Sequence, residues 1–397
     1  MHENSWLEGT SPAFRLMIAT SWLAPPRWQD MQEKAIREAL CAKLDWREFL
    51  RLVDRHRTPA LSWASLKRVP GLDVPDPVKQ GLQKRSDTCR MHAIRHSLQL
   101  AAVLKAFNRA GNPAMPFKGP TLSLDLYGDL GLRHSRDLDL AVMQEDIPRA
   151  QDCLESLGWR MKSNWFALSP RQWERFLHQE HSLDFVYSNG HGQLELHWHN
   201  QWDRPGAVRI RWDKSLPSAW QGFSFHAMNP IDRTLYLCSH GANHAWFRVK
   251  WLGDLARVVA DAEVDWPATL DESHGLGQSI ALLASLRLVQ ELYGLPEPDL
   301  PGNPWKDLPS ALVISSLGDL SDPREPATLG TLGKLRARIR KNRRDRMLRV
   351  HKNWMDALSE LAYSREDFRM LRLPDRLFWV YVPLRPILWV WRAVWRV

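Results

Sequence analysis

The 397-residue chain is long enough for two or three domains and for a core that needs no disulfide or metal staples. Its four cysteines, Cys41, Cys89, Cys153 and Cys238, lie far apart without a CxxC pair, which excludes a zinc ribbon or disulfide framework and reads as free thiols of a reducing cytoplasm. The formal charge is +9, but residues 331 to 397 carry 17 Lys and Arg against 6 Asp and Glu; that net +11 leaves residues 1 to 330 at −2, so charge gives weak support for nucleic-acid binding by the body.

In chain order, the opening MHENSWLEGT has neither the basic start nor the apolar stretch of a secretory signal, so a cytoplasmic protein is expected. Residues 1 to 108 form a predicted helical region, with apolar residues at spacings of three and four in HAIRHSLQLAAVLKAFNRAG and Gly111 as the stop. From 109 to 222 the period changes. PAMPFKG is a short extended piece, PTLSLDLYG a helix, DLGLRHS a turn-rich link and DLDLAV a strand. EDIPRAQDCLESLG follows as a helix and WRMKSN as a strand, and then SLDFVYS and QLELHWH pair as a hairpin about NGHG, whose Asn and Gly tolerate positive φ. Residues 223 to 330 return to helix in PIDRTLYLCSHGANHAW and VKWLGDLARVVADAE, and 331 to 397 form a basic, Trp-rich tail. The expected fold is α/β, a small mixed sheet flanked by helical N- and C-terminal regions.

Side chains alternate faces along a strand, so Asp137 and Asp139 project to one side while Leu138, Leu140 and Val142 point into a core. Like charges held this close repel unless a cation sits between them, and an oxygen-loving divalent ion such as Mg²⁺ resolves the conflict. Glu195 offers a third carboxylate on the hairpin, with His197 and His199 on its face. Three such acids suit a two-metal site for phosphoryl displacement, with Mg²⁺ or Mn²⁺ as the ions and a nucleoside triphosphate as substrate. Lys118 and Gly119 stand at a strand-to-helix turn that favours anions, and Arg133 and Arg136 precede the acid pair.

The passage FKGPTLSLDLYGDLGLRHSRDLDLAV resembles the signature of a bacterial nucleotidyltransferase family with the DNA-polymerase-β-type fold, found near exopolysaccharide and lasso-peptide gene clusters. That family carries a Lys-Gly pair, a Tyr, an Arg, an Asp-x-Asp and later an acid-Leu-His-Trp strand; the likeness covers residues 95 to 260, with CSHGANHAWFRVKWLGDLA similar to its His-rich helix and Trp-x-x-Asp-Leu. The resemblance implies catalytic and metal roles for Asp137, Asp139 and Glu195, and nucleotide binding by Lys118, Gly119, Thr121, Arg133, Ser135 and Arg136. The implied reaction moves a nucleoside monophosphate to an acceptor hydroxyl of a small molecule, sugar or peptide and releases pyrophosphate. One departure is Pro120, which has no N–H for a phosphate where the wider superfamily has Gly-Ser or Gly-Gly, and which leaves a degenerate binding module as an alternative. RHSRDLD also fits the Arg-x-Ser-x-Asp-x-Asp of nucleotidyltransferase toxins, which would make tRNA or protein the acceptor.

His197 reads as a substrate contact, a support for Glu195, or a plain strand-surface histidine. His240 and His244, one helical turn apart, read as packing or phosphate-facing groups, because no HExxH glutamate accompanies them. Asp254 either caps a helix or orients a cation. In RLFWVYVPLRPILWVWRAVWRV, residues 376 to 397, Trp379, Trp389, Trp391 and Trp395 interleave with arginines, and Pro383 and Pro386 are expected to break any long helix. Packing over the body, a membrane surface and a protein partner all stay open for this segment. The basic KLRARIRKNRRDRMLRV before it fits anionic lipid, nucleic acid or a solvated face.

Overall fold

The computed structural model describes residues 5–162, 168–199, 210–261, 264–321, 347–348 and 365–395. Nearly all of the basic stretch from 334 to 350 lies outside the described residues.

Six helices come first: α1 (Ser5–Glu8), α2 (Pro12–Thr20), α3 (Gln29–Leu40), α4 (Trp46–His56), α5 (Pro59–Arg68) and the 34-residue α6 (Asp76–Arg109). Their ends follow from local chemistry. The Ser11 hydroxyl accepts the Phe14 N–H ahead of Pro12 in α2, and the Asp45 carboxylate accepts from the N–H groups of Arg47 and Glu48 at the start of α4. Arg57 closes α4 in the left-handed region, at φ 57°.

The α/β unit follows as β1 (Met115–Pro116), α7 (Gly119–Tyr127), β2 (Leu138–Ala141), α8 (Ile147–Ser156), β3 (Trp159–Met161), α9 (Pro170–Gln179), β4 (Ser182–Tyr187) and β5 (Gln193–His197). The sheet is mixed, in the order β1-β2-β5-β4-β3. Among the described strands only β2 and β5 pair in parallel, with Asp139 opposite Glu195 and Ala141 opposite His197. The β4–β5 hairpin turns where expected; Gly190 has φ 76° and the Asn189 carboxamide accepts the His191 N–H. Leu138, Leu140, Leu194 and Leu196 are buried on one face, against Leu100, Val103, Leu104 and Phe107 of α6 and Ile147 and Leu154 of α8.

A ribbon of β6 (Leu216–Trp220) and β7 (Phe223–Ala227) joins the edge through the His226 N–H to the Ala114 carbonyl. Helices α10 (Pro230–Asn243), α11 (Val249–Val259), α12 (Trp266–Gly275), α13 (Ser279–Tyr293) and α14 (Ser310–Ser321) follow. They share one apolar core with α2 to α6, and Phe117 and Ala141 of the sheet's second face join that core. After α14 the described helices are α15 (Arg365–Met370) and α16 (Tyr381–Trp395). The expected break at the prolines does not occur. Pro383 falls in the first turn of α16, where no N–H is needed, and only Pro386 lies inside the helix.

Candidate functional site

Parallel pairing brings the acids together. Because Asp139 and Glu195 are opposite residues on neighbouring strands, their side chains leave the same face of the sheet, and His197 follows two residues later on that face. One ligand atom from each of Asp139, Glu195 and His197 lies within 4.8 Å of the others. His197 Nε2 is 3.4 Å from Asp139 Oδ1 and 3.3 Å from Glu195 Oε2, yet neither contact has hydrogen-bond alignment. Asp139 Oδ2 is buried without a hydrogen-bond partner among the described residues. A buried carboxylate oxygen left bare is costly. The O, O, N donor set around it fits a divalent cation.

The electrostatics match this geometry. Burial would raise the Asp139 pKa, but the Lys118 ammonium 2.9 Å away and His197 hold it well below the usual carboxylate range. Burial likewise opposes the charge on Lys118, and Asp139 overcomes that opposition and raises its pKa. His197 is raised against burial by Asp139 and Glu195, while Glu195 is lowered, chiefly by His197. Asp137 behaves differently. It stands one residue ahead of β2, and burial together with Asp139 pushes its pKa up.

These groups line a cavity of about 350 Å³. Lys118, Arg57, Arg133, Arg136, Arg248 and Lys250 supply its cations, and its remaining wall is aromatic. On that wall His244 stacks on Trp251 with ring centroids 4.9 Å apart, and His240 meets both rings edge-on. The wall is built by a tight loop. Ala245 and Trp246 take positive φ, the Trp246 ring closes over Gly241, and its indole N–H reaches Ser285 Oγ at 3.1 Å. Burial keeps the His240 imidazole neutral well below its ordinary pKa.

Each residue singled out in the sequence can now be placed. Asp137, Asp139, Glu195, His197, Lys118, Arg133, Ser135, Arg136, His240 and His244 all line the cavity, although Asp137 is outside the Asp139–Glu195–His197 cluster. Gly119 and Thr121 are not in the lining. Gly119 has φ +67°, and the Thr121 hydroxyl donates to the Lys118 carbonyl at 3.0 Å, so both shape the turn. The Ser135 hydroxyl donates to the Asp137 carbonyl at 2.7 Å. Asp254 is buried beneath the cavity, where it takes the Arg133 guanidinium at 2.8 Å and the Tyr127 hydroxyl at 3.2 Å. Arg133 is thus already paired with a carboxylate.

Sequence reasoning missed Lys250 and Tyr236. Lys250 is 9% exposed and donates to the His134 carbonyl at 3.3 Å; burial, with Arg133 and Arg57 nearby, pushes it down to about 7 against the pull of Asp254 and Asp137. A lysine inside an apolar helical run was the available signal. The Tyr236 ring lies 5.7 Å from the Lys118 ammonium and edge-on to Phe117.

A family model described as an uncharacterised nucleotidyltransferase matches residues 42–294. No curated protein matches the chain, and no solved structure does.

Proposed function

The chain belongs to this uncharacterised nucleotidyltransferase family, and from that premise we propose a divalent-metal-dependent transfer of a nucleoside monophosphate from a triphosphate to an acceptor hydroxyl, with release of pyrophosphate. The fold under this reading is of the DNA-polymerase-β type. The observation that carries the proposal is the parallel register that sets Asp139 beside Glu195, with His197 on the same face and Asp139 Oδ2 bare. Asp139 and Glu195, with His197 beside them, would hold one divalent ion, and Asp137 with Asp139 a second. When bound, such ions compensate the charge that develops on the attacking and leaving oxygens.

The chain's own groups do the rest. Lys118 and Lys250 face the same cavity as the acids, where they receive the negative charge of the polyphosphate, and Arg136 stands exposed at its edge. His244 and Trp251 offer a flat surface for a base or a planar acceptor. The Arg133–Asp254 pair works by position: it fixes the loop before β2, so that Asp137 and Asp139 enter the cavity from a rigid base. The test is Asp139→Asn, which should leave circular dichroism unchanged and abolish incorporation of labelled nucleotide. Retained activity in that variant would remove the assigned mechanism. Supplying each labelled triphosphate with cell extract would then identify the acceptor.

A second reading, nucleotide or partner binding without turnover, draws on Pro120 and on the Thr121 hydroxyl being engaged by the Lys118 carbonyl. Calorimetry that shows nucleotide binding, with no pyrophosphate released across a range of acceptors, favours it. The toxin-type reading, with tRNA or protein as acceptor, rests on RHSRDLD alone.

A further inference from the structure

The C-terminal segment presents apolar surface that the body does not cover. Tyr381 and Leu388, two turns apart on α16, are 0% and 7% exposed and pack with Phe368, which fixes the inward face of the helix. The mount is specific. The Tyr381 hydroxyl lies 3.0 Å from Gln172 Nε2 on α9, Arg385 pairs with Asp367 at 2.8 Å, and the Ser169 hydroxyl donates to the Asp375 carboxylate. The opposite arc of α16 points away from these contacts. Trp379 just before the helix, and Ile387, Trp389, Val390 and Trp391 on it, are 52% to 64% exposed.

A helix apolar on its outward arc needs a cover. Charge selects the cover. Residues 376 to 397 contain four arginines and no acidic residue, and they end a tail of net +11 on a body of net −2. Arg372 and Arg376, ahead of Trp379 in the chain, are exposed. A second copy of this tail would bring like charges together, whereas anionic headgroups complement them. Tryptophan favours the boundary between headgroup and acyl chain. Fifteen helical residues span roughly 22 Å, short of the roughly 30 Å hydrocarbon layer, and no described helix is long and apolar enough to cross a membrane. We propose that residues 376–395 form a peripheral anchor that lays the outward arc of α16, centred on Val390 and flanked by Trp389 and Trp391, on an anionic bilayer surface without crossing it.

Flotation of the full-length chain with extruded vesicles tests this. The chain should rise with phosphatidylcholine vesicles containing about one-third phosphatidylglycerol, and about tenfold less with phosphatidylcholine alone. The double variant Trp389→Ser/Trp391→Ser alters only exposed side chains, so it should keep its circular dichroism while its bound fraction falls about tenfold. Arg372→Glu/Arg376→Glu should weaken binding and lessen its dependence on salt. Failure of the full-length chain to float would overturn the proposal. So would equal flotation of the Trp variant, which would leave charge alone as the cause. Sedimentation velocity supplies one more decisive outcome: self-association abolished by the Trp variant, in a chain that does not float, assigns the surface to a second copy instead.

Discussion

Lys250 and Asp254 sit four residues apart on α11 and illustrate opposite treatments of buried charge. Lys250 has a folded pKa of about 7 against the ordinary 10.5, set by burial and by Arg133 and Arg57 and opposed by Asp254 and Asp137. Between those values the unfolded chain binds more protons, so this residue's contribution to stability rises with pH from 7 to 10.5 and is least favourable below 7. A polyphosphate entering the cavity reverses the imbalance and favours the ammonium. Nucleotide binding at pH 8 in chelator should therefore take up close to one proton, measured by calorimetry in buffers of different ionisation enthalpy. Undiminished uptake by Lys250→Met would assign that proton elsewhere. Asp254, in contrast, is matched by Arg133, with side-chain exposures of 1% and 4%. Asp254→Ala strands a buried guanidinium and should cost about 3–5 kcal/mol in urea unfolding. Arg133→Met added to it should recover much of the loss, whereas Asp137→Asn removes the acid that burial and Asp139 disfavour and should cost far less.

At the scale of elements, the loop between α10 and α11 governs the aromatic wall. A Cβ on Gly241 would come within 2.6 Å of the Trp246 ring, which is pinned by Ser285 and lies in the core. Gly241→Ala should destabilise by about 1–3 kcal/mol. It should also raise KM for the nucleotide more than it lowers kcat, since His244 and Trp251 line the cavity beyond the acids; an unchanged KM would detach this wall from nucleotide binding. The strands carrying the acids were legible because alternation in LDLAV and QLELHW and the turn chemistry of NGHG are short-range signals. The parallel pairing of β2 with β5 was not, because more than fifty residues intervene and no local pattern encodes it. For the same reason His197 read as a support for Glu195, when its ring in fact stands beside Asp139 as well. Lys250 was hidden inside the apolar period of a helix, and the Arg133–Asp254 pair joins two stretches that only tertiary packing brings together.

Over the whole molecule, the helices before and after the sheet are not separate bodies in their packing. Val53, Val78 and Leu82 lie in the same apolar core as Leu252, Leu282 and Leu288. Polar contacts cross the same seam. The Ser21 and Tyr293 hydroxyls are 2.8 Å apart, His56 Nδ1 accepts the Val249 N–H at 3.1 Å, and the Arg248 guanidinium donates to the Arg55 carbonyl at 2.6 Å. Gly253 passes so near the Ser21 carbonyl that a Cβ would stand 2.6 Å from it. We therefore propose that residues 1–108 and 223–330 fold as one unit, into which the 109–222 segment is inserted with the acids at the junction. A chain beginning at residue 109 would expose the core face of α11 and α13 and leave the His56 acceptor of Val249 missing. It should lose cooperative thermal unfolding and aggregate, even though every proposed metal ligand is present. Adding residues 1–108 as a separate polypeptide should restore solubility and nucleotide binding together, because the seam that rebuilds the core also carries Arg57 and Arg248 to the cavity. A truncated chain that unfolds cooperatively and binds nucleotide unaided would instead make the N-terminal helices a dispensable appendage.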